Sequence, residues 1–341
     1  MTATTQAPAR AGGQHAKKAR PQLSEGARAE RRLGFLLCAP AVIVMIAVTA
    51  YPVIYAIFLS LERYNLELPQ DTKFIGFANY GAVLSSPYWW HALVVTLIIT
   101  VFSVSITLVL GMLLAQVLHR APFGRGTVRT VSLIPYGIVT VAAAYSWQYA
   151  WTPNQGYLAS VFNNSAPLTN QTEAIVVIIL AEIWKTTPFM GLLLLAGLSL
   201  VPEDLQKAAK VDGATAWQRF TRVTLPLMKP AILVALLFRT LDSFRIFDSI
   251  FILTSGNNGT GSVSILGYDN LFNALNLGIG STISILIFIC VAIIAVIFIL
   301  GFGTAAPGTD IEKRQRPPGG ATPRTPLGTP NGEANVSGVQ G

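Results

Sequence analysis

The sequence predicts an all-α polytopic membrane protein: six transmembrane helices, both termini cytoplasmic, and a short cytoplasmic helix between the fourth and fifth. Three observations carry that expectation. Of the 341 residues, 52% are hydrophobic and only 12% are charged, about half of the ~25% charged fraction usual in soluble domains. Six apolar runs reach the ~20 residues needed to cross a hydrocarbon core; they fall near 33–61, 92–118, 131–151, 174–195, 231–253 and 279–302. With both termini inside, the inner loops and tails hold 19 Lys and Arg while the outer loops hold 2, Arg63 and Lys73. That asymmetry sets the orientation by the positive-inside rule. It also accounts for the net charge of +8 without a nucleic-acid patch.

Along the chain, residues 1–30 form a basic arm rich in Ala, Gly, Gln and Arg, and residues 304–341 form a tail rich in Pro, Gly and Thr. Neither composition buries a core, so both are expected to be disordered cytoplasmic segments that touch anionic lipid heads. Residues 31–303 make the membrane domain. The first span follows the arm and is too long for a signal-peptide core, so it is expected to stay uncleaved. Tyr88, Trp89 and Trp90 precede the second span, and Trp147, Tyr149 and Trp151 close the third, as aromatics at the outer interface would. Pro40, Pro52, Pro135 and Pro188 lie in or beside spans and predict kinks. Cys38 and Cys290 sit in apolar runs and read as small hydrophobes. His15, His91 and His119 are scattered, unlike a metal site.

The fourth and fifth spans carry charge. Glu182, Lys185, Thr186 and Phe189 recur at helical spacing, as do Arg239, Asp242, Ser243 and Ile246, with Arg245 and Asp248 pointing roughly the opposite way. Charges at that depth cost at least ~2.5–3.5 kcal/mol each unless paired or facing water. Two readings stay open. Glu182–Lys185, Arg239–Asp242 and Arg245–Asp248 are i,i+3 pairs that neutralise one another, or one face lines a polar path for a solute. Hydroxyl-rich solutes would want Asp and Arg partners and an aromatic wall, for which Phe189, Phe244 and Phe247 are available.

Between these spans lies the polar run 206–230, QKAAKVDGATAWQRFTRVTLPLMKP. A helix over 203–216 is expected, with Pro202 at its start and Glu203 and Asp204 complementing its positive end. Ala208 and Ala209 let another surface approach closely, and Gly213 permits a turn of positive φ. Phe220, Val223 and Leu225 would anchor the connector on its own subunit, while Pro226 and Pro230 set the direction of the next span.

In the order Ala-Ala, Asp-Gly-Ala, Leu-Pro and Pro, this run is similar to the EAA loop of binding-protein-dependent ABC importers, in particular the sugar permeases related to the maltose permease. The stretches GFANYGAVLSSPYWWHALVVTL, RGTVRTVSLIPYGI and FRIFDSIFILTSG agree, and the resemblance covers roughly residues 30–303. One position departs: Lys207 stands where the family has the Glu that names the loop.

The resemblance implies a multi-pass subunit in a bacterial cell membrane. Its expected partners are a second homologous permease, an ATPase dimer that binds ATP and Mg, an extracellular sugar-binding protein, and membrane lipid. This chain would itself be non-catalytic and without a cofactor. Lys207, Ala208, Ala209, Asp212, Gly213, Ala214, Phe220, Leu225 and Pro226 would form the ATPase-coupling loop. Thr186, Phe189, Arg239, Asp242, Ser243 and Ile246 would contact a sugar, with a disaccharide such as trehalose as the expected cargo and a glycerol phosphodiester or an oligosaccharide as the alternative.

The chain lacks a GxxxxGK[ST] phosphate loop; Gly256 to Ser262 is glycine-rich without the lysine and reads as an external turn or a contact with the delivery protein. An ion-coupled secondary transporter would use the midplane charges but gives no reason for the connector. A membrane enzyme would need a nucleophile with a base, and the spans offer isolated Ser and Thr.

Overall fold

The computed structural model describes residues 25–120, 125–161 and 166–302; most of the expected arm and all of the expected tail lie outside the described residues. The described residues divide into two compact units, 25–83 with 270–285, and 84–269 with 286–302.

In the first unit, helix α1 (Glu25–Ser60) begins inside the expected arm and contains Pro40 and Pro52. Its large side chains, among them Phe35, Ile46 and Ile54, are exposed, as apolar surface that faces lipid would be. A hairpin of β1 (Glu62–Arg63) and β2 (Lys73–Phe74) follows. Asn79 donates to the carbonyls of Ser60 at 2.9 Å and Glu62 at 2.8 Å, so the last carbonyl of α1 has a partner. Thr282 Oγ1 also reaches the Ser60 carbonyl at 3.2 Å. A Cβ at Gly278 would collide with the Glu62 carbonyl, so only glycine fits there.

The second unit contains α3 (Pro87–Arg120), which follows α2 (Ala78–Ser85). Next come α4 (Arg125–Gly137), α5 (Thr140–Ala150) and α6 (Gln171–Ser199). The connector holds α7 (Glu203–Val211), α8 (Ala216–Arg219), a π-helical turn (Phe220–Thr224) and α9 (Leu225–Leu227). The chain continues through α10 (Lys229–Phe244), α11 (Asp248–Thr254), α12 (Val263–Tyr268) and α13 (Leu277–Phe302), which passes from one unit into the other.

The pairing of α3 with α6 is the backbone of this unit. Thr96, Thr100, Ser103, Thr107, Gly111 and Ala115 recur at three- and four-residue steps along α3, and all are buried. Small residues and hydroxyls on one face let two membrane helices approach closely. A Cβ at Gly111 would lie 2.6 Å from Met190 Cγ, and one at Gly191 would lie 2.8 Å from Leu114 Cδ2. Asn170 starts α6 by accepting from the N–H groups of Thr172 and Glu173, an N-cap of the usual kind.

Four helical stretches among the described residues are long and apolar enough to cross a membrane: 32–60, 87–120, 171–199 and 277–301. Two bent pairs, 126–137 with 140–150 at 82° and 216–227 with 229–244 at 69°, raise the number to six if each pair is one span. The expected third span is therefore broken, next to Pro135 and Gly137. The expected fifth span, 231–253, is also discontinuous: α10 stops at Phe244 and α11 starts at Asp248. The break leaves the Ile246 carbonyl without its helical partner, and the buried Ser262 hydroxyl donates to it at 3.0 Å. Non-helical backbone at membrane depth requires such internal satisfaction.

Candidate functional site

Where α4, α6, α10 and α11 meet, the two helix breaks open a cavity of about 690 Å³. The α4–α5 bend contributes Tyr136, Ile138, Val139 and Thr140; α6 contributes Glu182, Lys185, Thr186 and Phe189. The α10–α11 break contributes Asp242, Arg245, Ile246, Phe247, Asp248 and Ser249. Each broken helix exposes side chains in its non-helical turn, which a continuous helix would have pointed apart. This is why Arg245 and Asp248 line the same cavity as Asp242, whereas uninterrupted helical spacing set them on the opposite face.

One wall is a buried ionic network. Arg239, with its side chain 1% exposed, places Nη2 3.0 Å from Glu182 Oε2 and Nη1 2.7 Å from Asp242 Oδ2. Ser249 Oγ donates to Glu182 Oε1 at 2.7 Å. Glu182 thus has donors on both oxygens, as a buried carboxylate requires. Its partner is Arg239, across 57 residues of chain, rather than Lys185 one turn away. Lys185 instead donates to the Ile138 carbonyl at 2.7 Å, where the bend between α4 and α5 leaves that carbonyl free. The other wall is aromatic: Tyr136 and Phe189 stack with centroids 5.0 Å apart and planes 11° from parallel.

Of the six residues expected along a solute path, Thr186, Phe189, Asp242 and Ile246 line this cavity. Thr186 Oγ1 is already engaged with the Glu182 carbonyl at 2.6 Å. Arg239 and Ser243 are buried behind it. Arg239 holds the two carboxylates, and the Ser243 hydroxyl lies 3.1 Å from that of Ser103 on α3. Phe247 joins the wall, but Phe244 is buried elsewhere, 1% exposed. Sequence reading missed Tyr136, Thr140 and Ser249. The Pro135-Tyr136-Gly137 triplet was a usable signal for the first, because Pro and Gly so close together mark a break whose residues leave the helical face.

The connector is hydrogen-bonded at each joint. Helix α7 ends at Val211, short of the expected 216, because the chain closes there. The Ala214 N–H donates to the Ala209 carbonyl at 3.0 Å and the Gly213 N–H to the Lys210 carbonyl at 3.2 Å, with Gly213 at φ +80°. These two bonds are a Schellman ending, and they use Asp212, Gly213 and Ala214 in turn. Thr215 and Gln218 then form a reciprocal capping box that starts α8, as such pairs do. Gln206 Nε2 donates to Thr224 Oγ1 at 2.6 Å and ties α7 to the π turn. Phe220 packs on the apolar cluster of Met112, Met190, Leu194 and Met228.

The outward side of α7 stays bare. Leu205, Ala208 and Val211 recur every three residues and are exposed, Val211 at 87%. Lys207 lies 3.4 Å from Glu203 and 3.8 Å from Asp204, so its charge is spent within its own helix. Ala209 is half-buried, while Leu225 and Pro226 are exposed.

A family model described as the binding-protein-dependent transport system inner membrane component matches residues 75–305. Among curated proteins, the trehalose transport system permease protein SugA of Mycobacterium tuberculosis is 65% identical over 287 residues, 84% of this chain and 94% of that protein. The trehalose/maltose transport system permease protein MalF of Thermococcus litoralis is 38% identical over 277 residues, covering 79% and 93%. Among solved structures, a chain of a bacterial alginate ABC transporter, crystallised with an alginate pentasaccharide-bound periplasmic protein, superposes with a TM-score of 0.70. It is 22% identical and covers 82% of this chain and 96% of that one, a likeness of fold.

Proposed function

This chain belongs to the family of binding-protein-dependent transport system inner membrane components, and from that premise we propose that it is a permease subunit of an ATP-driven importer of a neutral sugar. Trehalose is the cargo we favour, the solute named for the relative at 65% identity. In this reading residues 31–303 form the membrane domain, with six crossings and both tails cytoplasmic. The two bent pairs then supply crossings, and the positive-inside count sets their direction.

The observation that carries the substrate class is the cavity between α4, α6, α10 and α11. Its volume of about 690 Å³ lies within the ~300–1,000 Å³ usual for small-molecule sites. Its charges come in both signs: Lys185 and Arg245 against Asp242, Asp248 and a Glu182 already neutralised by Arg239. A wall of that kind offers donors and acceptors to hydroxyls without a net field for an anion. The Tyr136–Phe189 stack gives the C–H face of a sugar ring something flat to rest on.

Coupling would run through α7. Its exposed Leu205, Ala208 and Val211 stripe is apolar surface on a cytoplasmic loop, the kind that marks a protein contact. Lys207, Ala208, Ala209, Asp212, Gly213 and Ala214 would seat α7 on an ATPase subunit, and Phe220, Leu225 and Pro226 would transmit its motion to α10. ATP and Mg bind that partner, and this chain hydrolyses nothing. A second permease completes the path, and an extracellular binding protein delivers the sugar. Closure of the ATPase pair shifts the membrane state only through such differential contact.

The test is ATPase activity of the assembled complex in lipid, with its binding protein, across mono- and disaccharides. Stimulation by trehalose above the other sugars is expected. Stimulation by none of them, with basal ATPase intact, would overturn the sugar assignment and leave the coupling architecture standing.

A further inference from the structure

Two cavities of opposite character adjoin at the Arg120 end of α3. One, of about 400 Å³, is the more polar, with Arg120, Arg219, His119, Lys207 and Glu203 beside Leu198 and Val201. The other, of about 520 Å³, is a groove along α3 lined by Leu108, Met112, Leu113, Trp217, Leu225 and Ile232. Gln116, Arg120, Ala216 and Phe220 line both, so the polar and apolar spaces share a wall.

The polar space holds uncompensated positive charge. Glu203 is matched by Lys207 at 3.4 Å, while neither Arg120 nor Arg219 makes an ion pair among the described residues. Arg219 Nε is buried without a hydrogen-bond partner among the described residues, an unfavourable state that an anionic oxygen would relieve. The apolar space is built for a chain. From Leu108 to Arg120, α3 rises ~18 Å, close to one leaflet of a hydrocarbon core ~30 Å thick. Apolar side chains lie at the deep end and the cation at the shallow end. Trp217, 72% exposed, borders the groove where an indole would meet the headgroup level.

We propose that this composite cleft holds one anionic phospholipid, its phosphate on Arg120 and Arg219 and an acyl chain along α3 beside Trp217. A soluble phosphate would fill only the polar half. A partner helix would fill both halves only if it carried a carboxylate at that one level. A lipid satisfies both halves at once, and it would brace the α7–α8 connector against α3 through Phe220. Assignment to the cytoplasmic leaflet rests on the orientation proposed above; the preference for an anionic head does not. Because the test uses no sugar, it stands apart from the importer reading.

The full chain in lipid nanodiscs is titrated with phosphatidylglycerol or phosphatidylcholine carrying dibrominated acyl chains. The Trp217 signal is isolated by subtracting the Trp217→Phe variant. Quenching of that signal at a lower mole fraction of brominated phosphatidylglycerol than of phosphatidylcholine is expected. Arg120→Gln and Arg219→Gln should each reduce the preference roughly fivefold, the factor expected for one basic group near an anionic surface. Phosphatidylcholine quenching should stay unchanged, which also reports an intact fold. Equal quenching by the two lipids would overturn the proposal, as would a preference that survives both substitutions. Loss of the preference on adding inorganic phosphate would overturn the lipid in favour of a soluble anion.

Discussion

Arg239 Nη2 lies 3.0 Å from Glu182 Oε2, an ion pair between α10 and α6 whose side chains are 1% and 9% exposed. Taking one partner from a buried pair strands the other charge, at a cost of ~3–5 kcal/mol. Arg239→Met should therefore lower thermal stability sharply, because it leaves the buried Glu182 with Ser249 alone. Glu182→Leu leaves Arg239 paired with Asp242 and should cost less. The double variant Glu182→Leu, Arg239→Met should recover a large part of that loss, because nothing charged remains buried. Thermal unfolding of the four proteins in one detergent forms the cycle. Additive losses would show that the two side chains act independently.

Close approach of α3 and α6 predicts a contrast between two glycines. Alanine in a helix interior gains ~1 kcal/mol over glycine, and at Gly34 an added Cβ meets nothing within 4 Å. Gly34→Ala should be neutral or stabilising. At Gly111 the same methyl meets Met190 Cγ at 2.6 Å and the Gly191 nitrogen at 3.1 Å, and overpacking costs ~1–3 kcal/mol. Gly111→Ala should melt lower than the parent protein, and an equal or higher melting temperature would show that the helices give way freely.

The positive φ at Gly213 was legible because it is local, although the helix before it was expected to run to 216 and stops at Val211. The small-residue stripe on α3 went unread, because its meaning depends on the helix packed against it. The cavity could not be read to the same degree. Helical periodicity assigns a face only while the helix continues, and the chain breaks between Phe244 and Asp248. Past that break, spacing put Arg245 and Asp248 on the wrong side. Likewise i,i+3 spacing paired Glu182 with Lys185, whereas burial of Arg239 makes a distant carboxylate the stronger partner. Arg239 and Ser243 were legible as special, since polar groups at membrane depth need partners. Sequence spacing does not distinguish holding the wall from lining it.

Gly213 tests the connector. Its φ of +80° disfavours any side chain, yet an added Cβ would meet nothing within 4 Å, so substitution acts through backbone strain alone. Asn tolerates that region, alanine costs ~1–2 kcal/mol, and a β-branched residue is an outlier there. If α7 transmits ATPase closure, stimulation of ATPase by the loaded binding protein should fall in the order Asn, Ala, Val at position 213. Membrane insertion should stay unchanged. Equal stimulation in all three variants would mean that the Schellman ending has no part in coupling.

Phe189 offers the sharpest test of the cavity, because it is half-buried and stacked on Tyr136 at 5.0 Å and also lines the open space. Aromatic contacts contribute ~0.5–1.5 kcal/mol beyond the area they bury. Phe189→Ala should therefore raise the KM for sugar uptake by up to about tenfold while leaving basal ATPase alone. Phe189→Tyr keeps the ring and should restore much of the affinity. Phe244 is the control: it is 1% exposed and lies outside the cavity lining, so Phe244→Leu should lower the melting temperature without moving KM. If Phe189→Ala instead behaves like Phe244→Leu, the ring serves packing, and the sugar rests on another part of the wall.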